Sequence, residues 1–178
     1  MKTFKQFFVE NSLNRVVILP GGFKPPHKGH FEALKYLINK HQATKAMVYI
    51  GKSVRDNITA EQSQAIWNIY KKHLPVDTQV EISPVTPVKS VYDYVDMHLS
   101  VPIAVGAGEE DQDRYSFFQK NANKYSNVSV VPIPPQFGRI SGTATRTKIA
   151  QHASDALNFV PAEASSDIGS IKEILGIV

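Results

Sequence analysis

The sequence predicts an α/β fold in which five parallel strands form one doubly wound sheet with helices on both faces. Three observations predict it. Apolar runs of strand length recur along the chain, amphipathic helical patterns fall between them, and the first run ends in a glycine- and proline-rich turn that opens directly into a helix. The runs cover residues 15–20, 45–50, 79–83, 101–106 and 127–133.

The connecting elements follow in order. After the first run, Phe31, Leu34, Tyr36, Leu37 and Ile38 mark the buried side of a helix that lasts to about His41. Thr59 caps a second helix over residues 60–73, with Asp56, Glu61 and Gln62 near its positive N-terminal end. Further helices are expected over residues 88–99, 111–124 and 143–153, and a terminal one over Ile168–Leu175. Strict strand–helix alternation with right-handed crossovers makes a Rossmann-like sandwich. No repeat or linker divides it, so residues 15–161 read as one domain, preceded by a short helix or leader (1–14) and followed by a C-terminal helix (162–178).

Composition removes several function classes. A chain of 178 residues, 42% hydrophobic and 20% charged, can bury its own core. It has no cysteine, which excludes disulfides, thiolate metal sites and a cysteine nucleophile, and fits a reducing cytoplasm. The net charge of +4 comes from 20 scattered Lys and Arg residues, with no basic tail of the kind that binds nucleic acid. A site for phosphorylated small molecules explains the excess equally well. No apolar stretch is long enough to span a membrane. Phe4, Phe7 and Phe8 share one side of a short helix, which suits docking onto the domain. The same ten residues resemble the leader peptides of internal head proteins of large tailed bacteriophages, which are cut after a glutamate, here Glu10. In that case the protein would reside in host cytoplasm or virion interior.

In doubly wound sheets, ligands bind beyond the carboxyl ends of the strands, where loops lead into helix N-termini. The stretch Gly21-Gly22-Phe23-Lys24-Pro25-Pro26-His27-Lys28-Gly29-His30 occupies that place after the first strand. Its glycines permit a sharp turn and close approach of an anion to main-chain N–H groups. Its prolines stiffen the loop. His27 and His30, three apart in the first helical turn, can face one spot and stabilise charge on a phosphorus under attack. Spacing alone also allows two surface histidines or a metal pair.

The stretch resembles the G-x-F-x-P-x-H-x-G-H motif of the nucleotidylyltransferase superfamily, matching at Gly21, Phe23, Pro25, His27, Gly29 and His30. The second motif of that superfamily, I-S-x-T-x-x-R, is matched by Ile140-Ser141-Gly142-Thr143-Ala144-Thr145-Arg146. The form of both motifs is closest to archaeal-type nicotinamide-mononucleotide adenylyltransferases and cytidylyltransferase-like relatives. The resemblance implies transfer of AMP from ATP to a phosphomonoester such as a mononucleotide, with release of pyrophosphate and with Mg²⁺ brought by the nucleotide rather than held by protein side chains. It further implies that His27, His30 and Arg146 act on the triphosphate, with Ser141, Gly142 and Thr143 holding its β- and γ-phosphates at a helix start. Gly21, Gly22, Phe23 and Gly29 would line the nucleotide, and Gly106 and Gly108 would let the nucleoside approach the fourth strand. Many relatives form oligomers. The competing readings are a cytidylyltransferase acting with CTP on a phosphorylated alcohol, and a nucleotide-binding or virion-associated protein without turnover.

Two positions depart from the pattern: Gly22 replaces a usual polar residue, and Lys24 adds a cation, either as a phosphate ligand or as a solvated loop lysine. Lys52 and Arg55 are candidates for the acceptor phosphate or for plain surface residues. Trp67 suits core packing better than base stacking, given Ile66 and Tyr70 beside it. Gly51-Lys52-Ser53 lacks the first glycine of a P-loop, and Gly106-Ala107-Gly108 lacks the third glycine of a dinucleotide fingerprint.

Overall fold

The computed structural model describes residues 14–134 and 140–177. The readings of Phe4, Phe7, Phe8 and Glu10 lie outside the described residues. Five strands, β1 (Val16–Gly21), β2 (Lys45–Ile50), β3 (Asp77–Ile82), β4 (Ile103–Ala107) and β5 (Val128–Pro132), form one sheet in the order β3-β2-β1-β4-β5, parallel throughout. Six α-helices accompany them among the described residues: α1 (Lys28–His41), α2 (Ala60–Tyr70), α3 (Pro87–Met97), α4 (Ser116–Lys120), α5 (Gly142–Ala150) and α6 (Ile168–Leu175). This is a single-domain, doubly wound α/β fold, as expected from the alternation. None of these helices is long and apolar enough to cross a membrane.

Side-chain alternation along β1 sorts the core into two layers. Val17 and Leu19 face α1, α2 and α6, where Phe31, Leu34, Leu37, Trp67, Tyr70 and Ile171 are buried. Val16 and Ile18 face the opposite layer with Met47, Val91, Val95, Tyr115 and Phe118. Trp67 is fully buried, in contact with Phe23 and Tyr70 at ring-centroid distances of 5.5 and 5.8 Å.

The fourth helix is shorter than expected. Residues Glu109–Tyr115 form tight 3₁₀ turns, and the α-helix covers only Ser116–Lys120. It stops because the Asn121 side chain donates to the Phe117 carbonyl at 2.9 Å, offering the backbone an alternative to further helical turns. Elsewhere, Thr59 caps α2 by accepting from the Gln62 N–H at 3.2 Å while Gln62 Oε1 accepts from the Thr59 N–H at 2.9 Å.

Candidate active site

The order β3-β2-β1-β4-β5 reverses direction between β1 and β4, which opens a crevice at their carboxyl ends. A cleft of about 590 Å³ lies there. The loop after β1 builds one wall with Gly21, Gly22, Phe23, Lys24, His27 and His30. Gly106 and Gly108 of the β4 end, Arg55 of the loop after β2, and Gly142 and Arg146 of α5 complete it. The two sequence motifs, more than a hundred residues apart, therefore meet across one cavity. Gly29 lines an adjoining recess of about 440 Å³ with His30 and Ile140.

His27 is the N-cap of α1, and His30 stands one turn inside. Their rings stack with centroids 3.5 Å apart and planes 20° from parallel. His30 Nδ1 accepts from the His27 backbone N–H at 3.2 Å, so the neutral ring carries its proton on Nε2 and offers that atom as a donor. Burial pushes the His27 imidazole down to about 4. Burial, and secondarily the neighbouring His27, holds His30 well below the ordinary imidazole range. Both rings are therefore neutral near pH 7. His27 Nδ1 is buried without a partner.

The glycines divide by role. A Cβ on Gly21 would lie 2.7 Å from the ring of Phe23, which turns back beneath it at φ 50° and packs edge-on against His30 at 4.8 Å. A Cβ on Gly22 would meet nothing within 4 Å, which leaves that position open to the cleft. At Gly106 a Cβ would press to 2.5 Å of Leu37 Cδ1, so this glycine serves strand–helix packing in addition to lining the cleft. Gly142 leaves room for Arg146, whose Nη1 would be 3.2 Å from an added Cβ.

Lys24 lines the cleft but is not solvated, its ammonium being held by the backbone. It is 4% exposed, and its Nζ donates to the carbonyl oxygens of Gly22 and Gly51 at 2.7 and 2.9 Å. Burial, reinforced by the charge of Arg55 and opposed by Glu61, pushes its ammonium down to about 8. The Lys24 carbonyl in turn accepts from Arg146 Nη1 at 3.1 Å. Arg146 also donates to Thr143 Oγ1 at 3.1 Å.

The remaining candidates separate. Arg55 reaches the cleft, whereas Lys52 is exposed and outside its lining. Ser141 caps α5, accepting from the Ala144 N–H at 3.2 Å, but like Thr143 it does not line the main cavity. Sequence reasoning missed two features. Arg114, paired with Asp111 at 3.0 Å, lines the cleft beside Thr86, Pro87 and Val88 of the α3 start. Asp56 pairs with Arg146. The position of Arg114 just beyond the β4 end was the available signal for the first; nothing local signals the second.

No protein-family model matches the chain, and no curated protein sequence does. Solved structures are similar in fold. Plasmodium falciparum nicotinic acid mononucleotide adenylyltransferase complexed with APC superposes with TM-score 0.63 at 12% identity, covering 93% of this chain and 98% of the other. The same enzyme complexed with NaAD gives 0.61 at 12% identity, with the same coverages. A Vibrio parahaemolyticus structure assigned as a nicotinate-nucleotide adenylyltransferase gives 0.62 at 15% identity, over 91% of this chain and 98% of that one. At these identities the likeness establishes that the chain has the Rossmann-like fold on which those adenylyltransferases are built.

Proposed function

We propose that the chain is a nucleotidylyltransferase that transfers AMP from ATP to a phosphomonoester, a mononucleotide being the favoured acceptor class. One observation carries this reading: a neutral, stacked histidine pair at a helix N-terminus faces Arg146 across a crevice at the switch point of the sheet. The names of the similar structures favour adenylyl over cytidylyl transfer.

The chemistry asks for position and charge stabilisation, not for a protein nucleophile. A phosphate oxygen of the acceptor attacks the α-phosphorus. The bond from that phosphorus to the bridging oxygen breaks, and pyrophosphate leaves with the electron pair. His30 would donate from Nε2 to an α-phosphate oxygen as negative charge grows there. His27, stacked on His30 and also lining the cleft, would share this load, and Arg146 with the start of α5 would hold the β- and γ-phosphates. Arg55 and Arg114, which also line the cleft, would meet the acceptor phosphate. The lining does not suit a protein-held Mg²⁺: no three His, Asp or Glu side chains converge among the described residues, and Asp111 is engaged by Arg114. In this reading Mg²⁺ would enter with the triphosphate.

The test is pyrophosphate release from ATP or CTP against a panel of phosphorylated acceptors that includes nicotinic acid and nicotinamide mononucleotides. Release is expected with ATP and a mononucleotide. His30→Ala should lower kcat about a hundredfold or more, with a smaller change in nucleotide affinity. Release from no pair, or undiminished turnover by the variant, would sink the reading.

A further inference from the structure

Arg146 already holds an anion belonging to the chain. Its Nε donates to Asp56 Oδ2 at 2.5 Å, while Nη1 and Nη2 are engaged by the Lys24 carbonyl and the Thr143 hydroxyl. The two partners differ sharply in surroundings: the Arg146 side chain is 12% exposed and that of Asp56 is 60% exposed. A guanidinium so covered is costly without a counterion, and Asp56 is the carboxylate that pairs with it among the described residues. An exposed carboxylate, by contrast, loses little by returning to water.

The turn that carries Asp56 is built to present it. Asp56 and Asn57 take the left-handed conformation, with φ 47° and 64°. The turn is closed at its base by reciprocal Arg55 and Ile58 backbone bonds of 3.1 and 2.9 Å. The carboxylate thus stands at a tip on the loop after β2 and reaches α5, ninety residues away in sequence. It pairs with Arg146 and follows Arg55 in the chain, both of which line the cleft.

We propose that Asp56 sets the affinity and selectivity of the cleft for polyphosphates, by occupying Arg146 in place of the nucleotide's terminal phosphates and giving way to them on binding. The inference rests on the reading of Arg146 as a phosphate contact. A ligand must carry enough charge to displace a carboxylate, which favours triphosphates over less charged nucleotides. The displaced carboxylate remains nearby and repels, which keeps affinity for the triphosphate moderate.

Calorimetric titration of wild type, D56N, R146Q and the double variant with ATP, and with adenosine as the uncharged probe, tests it. Asparagine tolerates the left-handed conformation, so D56N preserves the turn. Expected is ATP binding about three- to fivefold tighter in D56N at low salt, the range for an exposed charge pair, with adenosine unchanged. The gain should shrink at high salt and vanish in the R146Q background. Equal or weaker ATP binding by D56N, while R146Q weakens binding, overturns the proposal and leaves the phosphate role of Arg146 standing. Equal ATP affinity in R146Q and wild type removes that role, and the proposal falls with it.

Discussion

At the scale of single residues, the histidine pair makes the domain sensitive to acid in a defined direction. The His27 imidazole is ordinary in the unfolded chain but is pushed down to about 4 in the fold. As pH falls through 6.5 the unfolded chain takes up a proton that the fold refuses, so stability is lost between about 6.5 and 4 and levels off below. For His27 alone the full span corresponds to ~3 kcal/mol. His30, shifted the same way, adds to it. Melting curves of wild type and His27→Gln between pH 7 and 5 should show the variant losing less than wild type. Equal slopes would mean that the pair does not resist protonation. Among the glycines, the motif's chemistry was legible but its division of labour was not. Gly21 is reserved by the Phe23 ring, whereas Gly22 is open on the cleft side. That distinction depends on where the Phe23 ring comes to rest, which no local pattern states.

At the scale of elements, Lys24 joins three segments. Its ammonium links the loop after β1 to the loop after β2, and its carbonyl receives Arg146 of α5. The direct Gly51 N–H to Gly21 carbonyl bond of 2.9 Å runs beside it. Lys24→Met keeps the apolar stem of the side chain but leaves both carbonyls without this donor, and should cost about 1.5–3 kcal/mol in denaturant unfolding, the range for hydrogen bonds to charged groups. If the strut also holds Arg146 in place, nucleotide affinity falls with it, while Lys24→Arg recovers part of the loss. A variant as stable as wild type would show that the second backbone link suffices. Elements whose identity depends on period and caps were readable: the strands lie within about two residues of their apolar runs, and Thr59 begins α2 as expected. The fourth helix was not, because its end is decided by one asparagine side chain competing with the backbone. The Asp56–Arg146 pair was invisible for a related reason: it exists only once β2 and α5 have been brought to the same end of the sheet.

At the scale of the whole molecule, the strand order places the carboxyl ends of β1 and β4 side by side, and the contacts of Lys24 and Arg146 around the cleft run between segments that leave that end. Lys24, Arg55, Arg114 and Arg146 line it, against Asp111, which Arg114 already engages. A polyanion seated there would touch the loops after β1 and β2 together with α5, adding to the links that Lys24 and Arg146 already make between them. Ligand binding should therefore appear as global stabilisation. ATP at about a hundred times its Kd adds ~2.7 kcal/mol, which for a domain of this size raises Tm by roughly 5–10 °C. Adenosine, lacking phosphates, should raise it far less, and added salt should narrow the gap between the two by screening the cationic lining. The control is R146Q, in which the shift by ATP should approach that by adenosine. A melting point unmoved by millimolar ATP or CTP would mean that the fold keeps its crevice and its charges without the ligand proposed for them, since any species that binds the folded state alone must stabilise it.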